Sequence, residues 1–231
     1  RELGIDVRAQ DVRAPEAADE ARSAEPAAAS GGQLTGNDVL RALSIKGSAT
    51  VEQLAEGLAS PRATVQPLLD ALVADGTAEK ASGQVRPSAR AKLEAADLFV
   101  ADRSALGEPE CVRLLEEFHA LDRRMKQVVT AWQVRDVGGE QTINDHTDAD
   151  YDARVLADLA ALDADTAEWL APLVDRLPRF GVYRSRLARA RDLAAGGDQR
   201  YVASPRVDSY HSVWFELHED LIRLAGRKRE E

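Results

Sequence analysis

Large apolar side chains recur every three or four residues along residues 108–135, a spacing that an α-helix converts into one continuous apolar face. Turned by 100° per residue, these positions fall within one arc: Leu114, Leu115, Phe118, Leu121, Met125, Val128, Val129 and Trp132. Such a helix needs other helices to cover its apolar face. The same spacing returns in residues 147–162 and 209–225. We therefore expect a C-terminal helical bundle over residues 107–231, with a ligand-binding or regulatory role.

Two further segments precede the bundle. Residues 10–33 are rich in Ala, Glu, Pro, Ser and Gly and contain almost no large apolar side chains. Because such a segment cannot bury enough surface to offset the entropy lost on ordering, we expect residues 1–33 to form a largely disordered linker or tail. Residues 34–106 carry the caps, turns and apolar spacing of a separate domain.

The bulk composition excludes several classes of protein. The formal net charge is -10, so any binding to nucleic acid must come from a local patch. Cys111 is the single cysteine, which excludes an intramolecular disulfide. No apolar run approaches the roughly 18 residues of a membrane-spanning helix, and the N-terminus lacks a signal-peptide pattern. We expect a cytoplasmic protein with no membrane partner.

Residues 34–95 predict three short helices followed by a hairpin. Thr50 and Thr64 are placed to cap the second and third helices, and Pro67 then falls in the first turn of the third. Gly76 is placed to end that helix. The segments TAEKA and QVRPS flank a Ser-Gly pair that is typical of a tight turn.

This order resembles the winged helix-turn-helix domains of bacterial regulators such as the MarR-like families. The motif spacing LAxxL, TV and LxxxG is carried by Leu54, Ala55, Leu58, Thr64, Val65, Leu68 or Leu69, Leu72 and Gly76. The resemblance implies a mainly α fold, in which a winged helix of three helices and a small β-hairpin precedes the helical bundle. It also implies duplex DNA as a partner and a homodimer as the binding form.

The residues expected to contact DNA lie on the third helix and around the wing. They are Arg62, Thr64, Gln66, Arg86 and Arg90. However, the formal charges of residues 36–95 sum to about zero, and Pro67 stands where such regulators often have Arg. DNA affinity depends largely on neutralised phosphates. The alternative is a winged helix that docks onto another protein.

A second resemblance extends over residues 34–229. The segments ALSIKG, TAWQVRD, NDHTDADYDA and VDSYHSVWFELHEDL are similar to actinobacterial proteins in which a winged helix is followed by a helical domain. Some of these accompany phosphoenolpyruvate-utilising enzymes. The resemblance implies that the two domains occur together, and that a phosphotransferase is a partner or a covalent neighbour.

Polar residues in and beside the apolar faces are candidates for ligand binding. Asp122 falls inside the apolar arc of residues 108–135 and so requires a bonding partner from another helix or a ligand. Trp132 and Arg135 lie at the end of that segment. Asn144, Asp145 and His146 follow in a loop, where their oxygen and nitrogen atoms could bind a ligand.

The segment RLPRFGVYRSRLARAR, residues 176–191, contains six arginines and no acid. Because arginine forks match anionic groups, Tyr183 and Arg184 are candidates for binding an anionic small-molecule effector. The alternative is that these arginines pair with an acidic face of a neighbouring element.

The stretch SYHSVWFELHEDL, residues 209–221, concentrates aromatic residues near the C-terminus. Projection on a helix places His211, Trp214 and His218 on the apolar side, facing inward, and places Asp220 on the opposite, polar side. The two histidines are separated by about 10.5 Å of helix rise, too far to bind one metal ion as an i, i+4 pair. This helix is expected to close the bundle and, secondly, to form one wall of a pocket.

No catalytic triad order, phosphate-binding loop, dinucleotide fingerprint or CxxC pair is present, so we expect no catalytic activity in this chain alone, no cofactor and no metal. The leading hypothesis is a ligand-responsive winged-helix transcriptional regulator. The alternative is a regulatory or docking domain of a phosphoenolpyruvate-utilising phosphotransferase. A third hypothesis is a metal-dependent enzyme. Such an enzyme would use Asp145 together with the four histidines, which are His119, His146, His211 and His218.

Overall fold

The computed structural model describes residues 33–227, so the linker predicted at residues 1–33 lies outside the described residues except for Gln33. Helices predominate, which confirms the prediction of a mainly α fold. The elements in chain order are α1 (Gly36–Lys46), α2 (Val51–Gly57), α3 (Arg62–Ala74), β1 (Ala78–Ala81), β2 (Gln84–Pro87), α4 (Ala89–Leu106), α5 (Glu108–Gln133), β3 (Val134–Val137), β4 (Glu140–Ile143), α6 (Ala149–Arg176), α7 (Gly181–Ala195), α8 (Arg200–Ala203) and α9 (Tyr210–Leu224).

The N-terminal unit, residues 33–106, is built from α1 to α4 and the antiparallel β1–β2 hairpin. Thr35 and Thr50 begin α1 and α2 with reciprocal caps, in which the threonine side chain and the side chain of the third helical residue each accept a backbone N–H. Ala49 and Val85 exchange two backbone hydrogen bonds, of 2.9 and 2.8 Å, and so join the segment before α2 to the hairpin. α1, α2, α3 and the hairpin share one small core, and α4 covers the other side of α1.

The start of α3 differs from the prediction. Arg62 is the first helical residue and Pro61 occupies the cap position, whereas Thr64 was expected to cap the helix. Pro67 is therefore the sixth residue of α3, and the helix lacks the hydrogen bond that a residue there would donate to Ala63. Burial of the opposite face in the core of the unit holds α3 in place.

The C-terminal unit, residues 107–227, is a bundle of α5, α6, α7 and α9 around one apolar core. α5 and α6 are long, with 26 and 28 residues. The Tyr151 hydroxyl donates to the carbonyl of Ala131 at 2.9 Å and so ties the start of α6 to the end of α5. None of the helices within residues 33–227 is long and apolar enough to cross a membrane.

A hairpin that the sequence analysis missed projects between α5 and α6. Strands β3 and β4 pair antiparallel, from Val134 opposite Ile143 to Val137 opposite Glu140. Gly138 and Gly139 form the turn, with φ of +67° and +93°. Two glycines between short strands are a recognised signal for a two-residue hairpin turn, since this turn requires positive φ at both central residues.

α9 lies between the bundle and the N-terminal unit. Glu216 on α9 binds Lys46 at the end of α1 and Arg186 on α7. Arg186, only 4% exposed, also binds Asp208 at 2.6 Å and donates to the carbonyl of Gly57 at the end of α2, at 3.3 Å. One buried guanidinium thus contacts both units.

α4 holds the C-terminal end of α9. Arg103 donates to the carbonyls of the last two residues of α9, at 2.9 and 2.8 Å, where a helix leaves its carbonyls without internal partners. Its neighbour Asp102 binds Arg179 at 2.8 Å, and Arg179 binds Asp220 of α9 at 2.6 Å. Glycine is favoured at position 226, where φ is +67° and a Cβ would come within 2.7 Å of the Arg103 guanidinium and displace it.

Replacing Arg186 should destabilise the whole protein. Arg186→Gln leaves two nearly buried carboxylates, those of Asp208 and Glu216, without their shared partner, and we expect a loss of about 3 to 5 kcal/mol in the free energy of unfolding. Urea denaturation measures this loss. The matched control is Arg189→Gln, an exposed arginine on the same helix, which should cost less than about 0.5 kcal/mol. Similar losses for the two variants would contradict this role of Arg186.

Candidate functional site

A pocket of about 220 Å³ opens between α5 and α9 and is the candidate functional site. Its lining combines aromatic rings, two imidazoles and a carboxylate–ammonium pair with apolar side chains: Asp122, Met125, Lys126, Val129, Thr130, His211, Trp214, Phe215 and His218. Four of the residues that the sequence singled out for ligand binding meet here: Asp122, His211, Trp214 and His218.

Asp122 is the buried acid of this pocket, at 7% exposure. Its carboxylate accepts hydrogen bonds from the indole N–H of Trp214 at 3.0 Å and from the Lys126 ammonium at 2.9 Å. The Nδ1 of His218 lies 3.9 Å away. Burial by itself raises the pKa of Asp122, but the two hydrogen bonds, together with the positive charges of His218 and Lys126, outweigh it and hold that pKa below its ordinary value. Asp122 was predicted to need a partner from another helix or from a ligand, and Trp214 on α9 is that partner.

Stacked aromatic rings form the rigid wall of the pocket. The Phe118 ring lies 4.8 Å from the Trp214 ring and 5.1 Å from the imidazole of His218, measured between centroids. On its other side Trp214 stacks on Tyr210 at 6.0 Å. Because Trp214 is held by ring contacts as well as by its bond to Asp122, its orientation is set before any ligand arrives.

The helical projection of α9 was wrong at two positions, which are His211 at the rim of the pocket and Asp220. His211 is exposed, so the prediction that it faces inward is wrong, and Phe215 beside it is 49% exposed. Asp220, predicted on the polar side, is 1% exposed. The physical reason is that α9 is covered on two sides, by the bundle and by the N-terminal unit, which turns the buried arc toward Asp220.

His211 is partly desolvated, which lowers its pKa. The negative charge of Asp122 offsets this only in part, so His211 is neutral at pH 7.

A second group of predicted residues meets at the base of the β3–β4 hairpin. The Asn144 amide donates to the carbonyl of Trp132 at 3.1 Å and to Asp152 at 2.9 Å. The other carboxylate oxygen of Asp152 lies 3.0 Å from Nδ1 of His146, whose ring packs on Trp132 at 4.5 Å. These contacts tie the hairpin to the first turn of α6.

His146 in this group has a left-handed backbone, with φ of +58°, which is uncommon for a residue other than glycine. The conformation brings its imidazole back onto Asn144 and Asp152. Asp145 accepts from the Thr147 backbone N–H at 3.2 Å and binds Arg135 at 3.0 Å. The observed contacts of Arg135, Asn144, Asp145 and His146 are with one another and with nearby residues of the hairpin base and the start of α6, and they order the loop.

The arginine-rich segment 176–191 is divided among several partners. Arg179 and Arg186 join the ion pairs between α4, α7 and α9, and Arg191 binds Asp163 of α6. The pairing of this segment with acids of neighbouring elements is thus observed. Tyr183 is buried and donates to Asp220 at 2.8 Å, whereas Arg184 is exposed on a different side of α7. Tyr183 and Arg184 do not meet in one site.

The residues predicted to contact DNA are all at the surface of the N-terminal unit, and the three arginines among them are paired with acids. Arg62 binds Glu52 at 2.7 Å, Arg86 binds Glu79 at 3.0 Å across the hairpin, and Arg90 binds Glu94 at 2.5 Å. Gln66 donates to Asp70 at 3.1 Å, and Thr64 is exposed. Exposed pairs of this kind are weak, so the arginines remain available to other anions.

The arrangement required for a metal site is not found within residues 33–227, where no group of three or more His, Cys, Asp or Glu side chains could hold a metal ion. The rings of His119 and His218 lie 6.2 Å apart, while His146 belongs to the group at the hairpin base. The four histidines and Asp145 therefore do not form a single cluster.

Lys126, Phe215 and Asp152 take part in these sites but were not predicted. Lys126 follows Asp122 by four residues on α5, a spacing that permits an ion pair and could have revealed it. Asp152 stands among several acids at the start of α6, and only the fold distinguishes it by its burial at 7% exposure.

Comparison of the chain with protein-family models, with curated proteins and with solved structures identifies no match. The proposed function therefore depends on the physical arrangement of the residues.

The pH dependence of the free energy of unfolding should reveal how much the charged Asp122 carboxylate stabilises the fold. Because its pKa is lowered in the folded protein, its charged form stabilises the fold above the ordinary pKa of about 3.9, and this contribution is lost as the pH falls through the lowered value. Asp122→Asn should cost about 1 kcal/mol at pH 7. Urea denaturation from neutral to acidic pH should show this difference shrinking toward acid. The control Glu116→Gln, at an exposed acid on α5, should have little effect at any pH. A cost for Asp122→Asn that stays constant into acid would contradict the assignment.

Proposed function

We propose that this chain is an effector-responsive winged-helix regulator. The main observation behind the proposal is the position of α9, which contributes residues both to the pocket against α5 and to the contact with α1 of the N-terminal unit. His211, Trp214 and His218 on α9 line the pocket against α5. Glu216 and Arg223 on the same helix bind Lys46 and Ser44 of α1.

The winged-helix assignment of the N-terminal unit is supported by its order of elements. Three helices precede an antiparallel hairpin, and the Ala49–Val85 bridge joins the hairpin to the segment between α1 and α2. The hairpin would be the wing, with Arg86 on its second strand. The exposed side of α3 would be the recognition surface.

The proposed effector is a small anionic molecule in the pocket between α5 and α9. Lys126 and the two histidines at the pocket offer nitrogen donors, and Trp214 and Phe215 offer an aromatic surface. The charge of Asp122 is already balanced by Lys126, and its other carboxylate oxygen accepts from the indole N–H of Trp214. A ligand that displaces Trp214 or His218 must move α9, and with it the contacts of Glu216 and Arg223 on α1.

For the output we propose duplex DNA, bound by a homodimer in the cytoplasm. Arg86 on the wing and Arg90 at the start of α4 are exposed, with side-chain exposures of 59% and 64%. Their acidic partners Glu79 and Glu94 are also exposed, so DNA phosphates could replace them at low cost. The effector would act by changing the spacing between the two wings of the dimer.

A second candidate output is docking onto a protein, for which the phosphotransferase implied by the sequence resemblance is the proposed partner. The exposed side of α3 favours it. That side presents Ala63, Pro67, Asp70 and Ala71, and its only arginine, Arg62, is paired with Glu52. Small apolar and acidic side chains are poorly suited to the major groove.

A salt series of binding to random-sequence duplex DNA separates the two outputs. If DNA is the partner, affinity should fall steeply with salt, and Arg86→Ala/Arg90→Ala should reduce the slope of log K against log salt by about two. The control Arg113→Ala/Arg200→Ala removes the same charge from exposed sites on the bundle and should leave the slope unchanged. Absence of binding even at low salt would exclude DNA and leave protein docking as the proposed output.

A further inference from the structure

The β3–β4 hairpin contributes no residue to the apolar core of the bundle. All four residues of β4 are exposed, and Ile143 is 83% exposed, the highest value among the large apolar side chains that the structure describes. Val137 at the end of β3 is 53% exposed. A two-stranded hairpin is marginally stable by itself in water, so the contacts of Asn144 and Tyr151 at its base hold it in place. Packing within the chain gives no reason for the hairpin to project.

The outer edge of β4 is open. A two-residue turn is closed by a hydrogen-bonded pair, here Val137 and Glu140, and such pairs alternate along the strands with pairs that are not bonded to each other. The backbone N–H and C=O of Gln141 therefore point away from β3, and no described residue bonds to them. The outer edge of β3 instead faces the start of α6, where the Tyr151 hydroxyl donates to the carbonyl of Val134 at 3.3 Å.

The hairpin of the N-terminal unit shows how such an edge is covered. Strands β1 and β2 have the same register around a two-residue turn, and Val85 occupies the position in β2 that Gln141 occupies in β4. The outward backbone groups of Val85 exchange two hydrogen bonds with Ala49, at 2.9 and 2.8 Å. The equivalent groups of Gln141 have no such partner within residues 33–227. The edge of β4 can therefore accept a further strand.

The surroundings of this edge are acidic. Residues 133–150 contain one arginine and five acids, which gives a formal charge of -4. The arginine, Arg135, is shared by two of the acids. The other three are exposed and form no ion pair with any residue that the structure describes: Asp136, Glu140 and Asp150. Two copies of β4 paired edge to edge would bring like charges together, and nucleic acid would be repelled, so the charge favours a basic partner.

We propose that β4 binds an extended basic segment of a partner protein, which adds to the hairpin as a third strand. Backbone hydrogen bonds to Gln141 supply affinity, and the side chains of the added strand supply specificity. These side chains alternate between the two faces of the hairpin, one of which presents Ile143 and the other Glu140. The segment therefore alternates apolar and basic residues. The inference does not depend on the winged-helix assignment or on the pocket between α5 and α9.

A capped peptide of alternating valine and lysine tests the proposal by fluorescence anisotropy with the intact chain. It should bind, and its affinity should fall as salt is added. The same peptide with every backbone amide N-methylated keeps its charge and its side chains but cannot donate to a strand, so it should bind at least about tenfold more weakly. A peptide with glutamate in place of lysine should not bind.

Gln141→Pro tests the edge itself, because proline removes the outward N–H of β4 without removing a hydrogen bond of the hairpin. It should weaken the valine–lysine peptide about tenfold. The matched control Gln141→Ala keeps the N–H and should bind as the unchanged chain does. Far-UV circular dichroism and the midpoint of urea denaturation verify that both variants are folded.

The proposal is overturned if the valine–lysine peptide does not bind, if the N-methylated peptide binds as tightly, or if Gln141→Pro and Gln141→Ala bind it equally well. Analytical ultracentrifugation gives a further outcome. A dimer that Gln141→Pro converts to a monomer would identify a second copy of the chain as the occupant of this edge and would also overturn the proposal.

Discussion

The guanidinium of Arg186 lies where α7, α9 and the end of α2 meet, and the relation between the two units depends on it. It binds two carboxylates that are themselves largely buried and reaches a backbone carbonyl of the N-terminal unit. A buried charge of this kind tolerates little displacement, because moving it leaves its partners desolvated and unpaired. The N-terminal unit is therefore fixed on the bundle through α9 rather than carried on a free linker.

The position of α9 also explains why aromatic residues are concentrated in residues 209–221. Trp214 must pack on Phe118, reach Asp122 and stack on Tyr210. Tyr210 in turn lies next to Asp163 of α6. One helix thus contacts the pocket against α5, the bundle and the N-terminal unit, which supports the proposal that ligand binding is communicated through α9.

Helical periodicity predicted much of the bundle because it depends only on local spacing. The apolar arc of residues 108–135 matches the buried face of α5, and the expected need of Asp122 for a partner is met by Trp214. The hairpin at Val134–Ile143 was missed because its strands have only four residues each and show no regular alternation of apolar and polar side chains.

Contacts between distant residues could not be predicted in the same way. His211 and Asp220 were assigned to the wrong sides of α9, because the projection assumed a single buried side and the helix has two. Likewise, six arginines in a segment that contains no acid look like an anion site. Asp192 pairs with Arg191 from just outside the segment, but Asp102, Asp163 and Asp220 lie farther along the chain, and only the fold brings them to these arginines.

The central claim, that α9 joins the two units into one cooperative body, is best tested by urea denaturation followed with two probes. The three tryptophans, Trp132, Trp169 and Trp214, all lie in the bundle, so fluorescence reports that unit alone. Far-UV circular dichroism reports the helices of both units. The account predicts one transition with the same midpoint by both probes. A separate circular dichroism transition at lower urea, without any change in fluorescence, would show that the N-terminal unit unfolds alone and would contradict it.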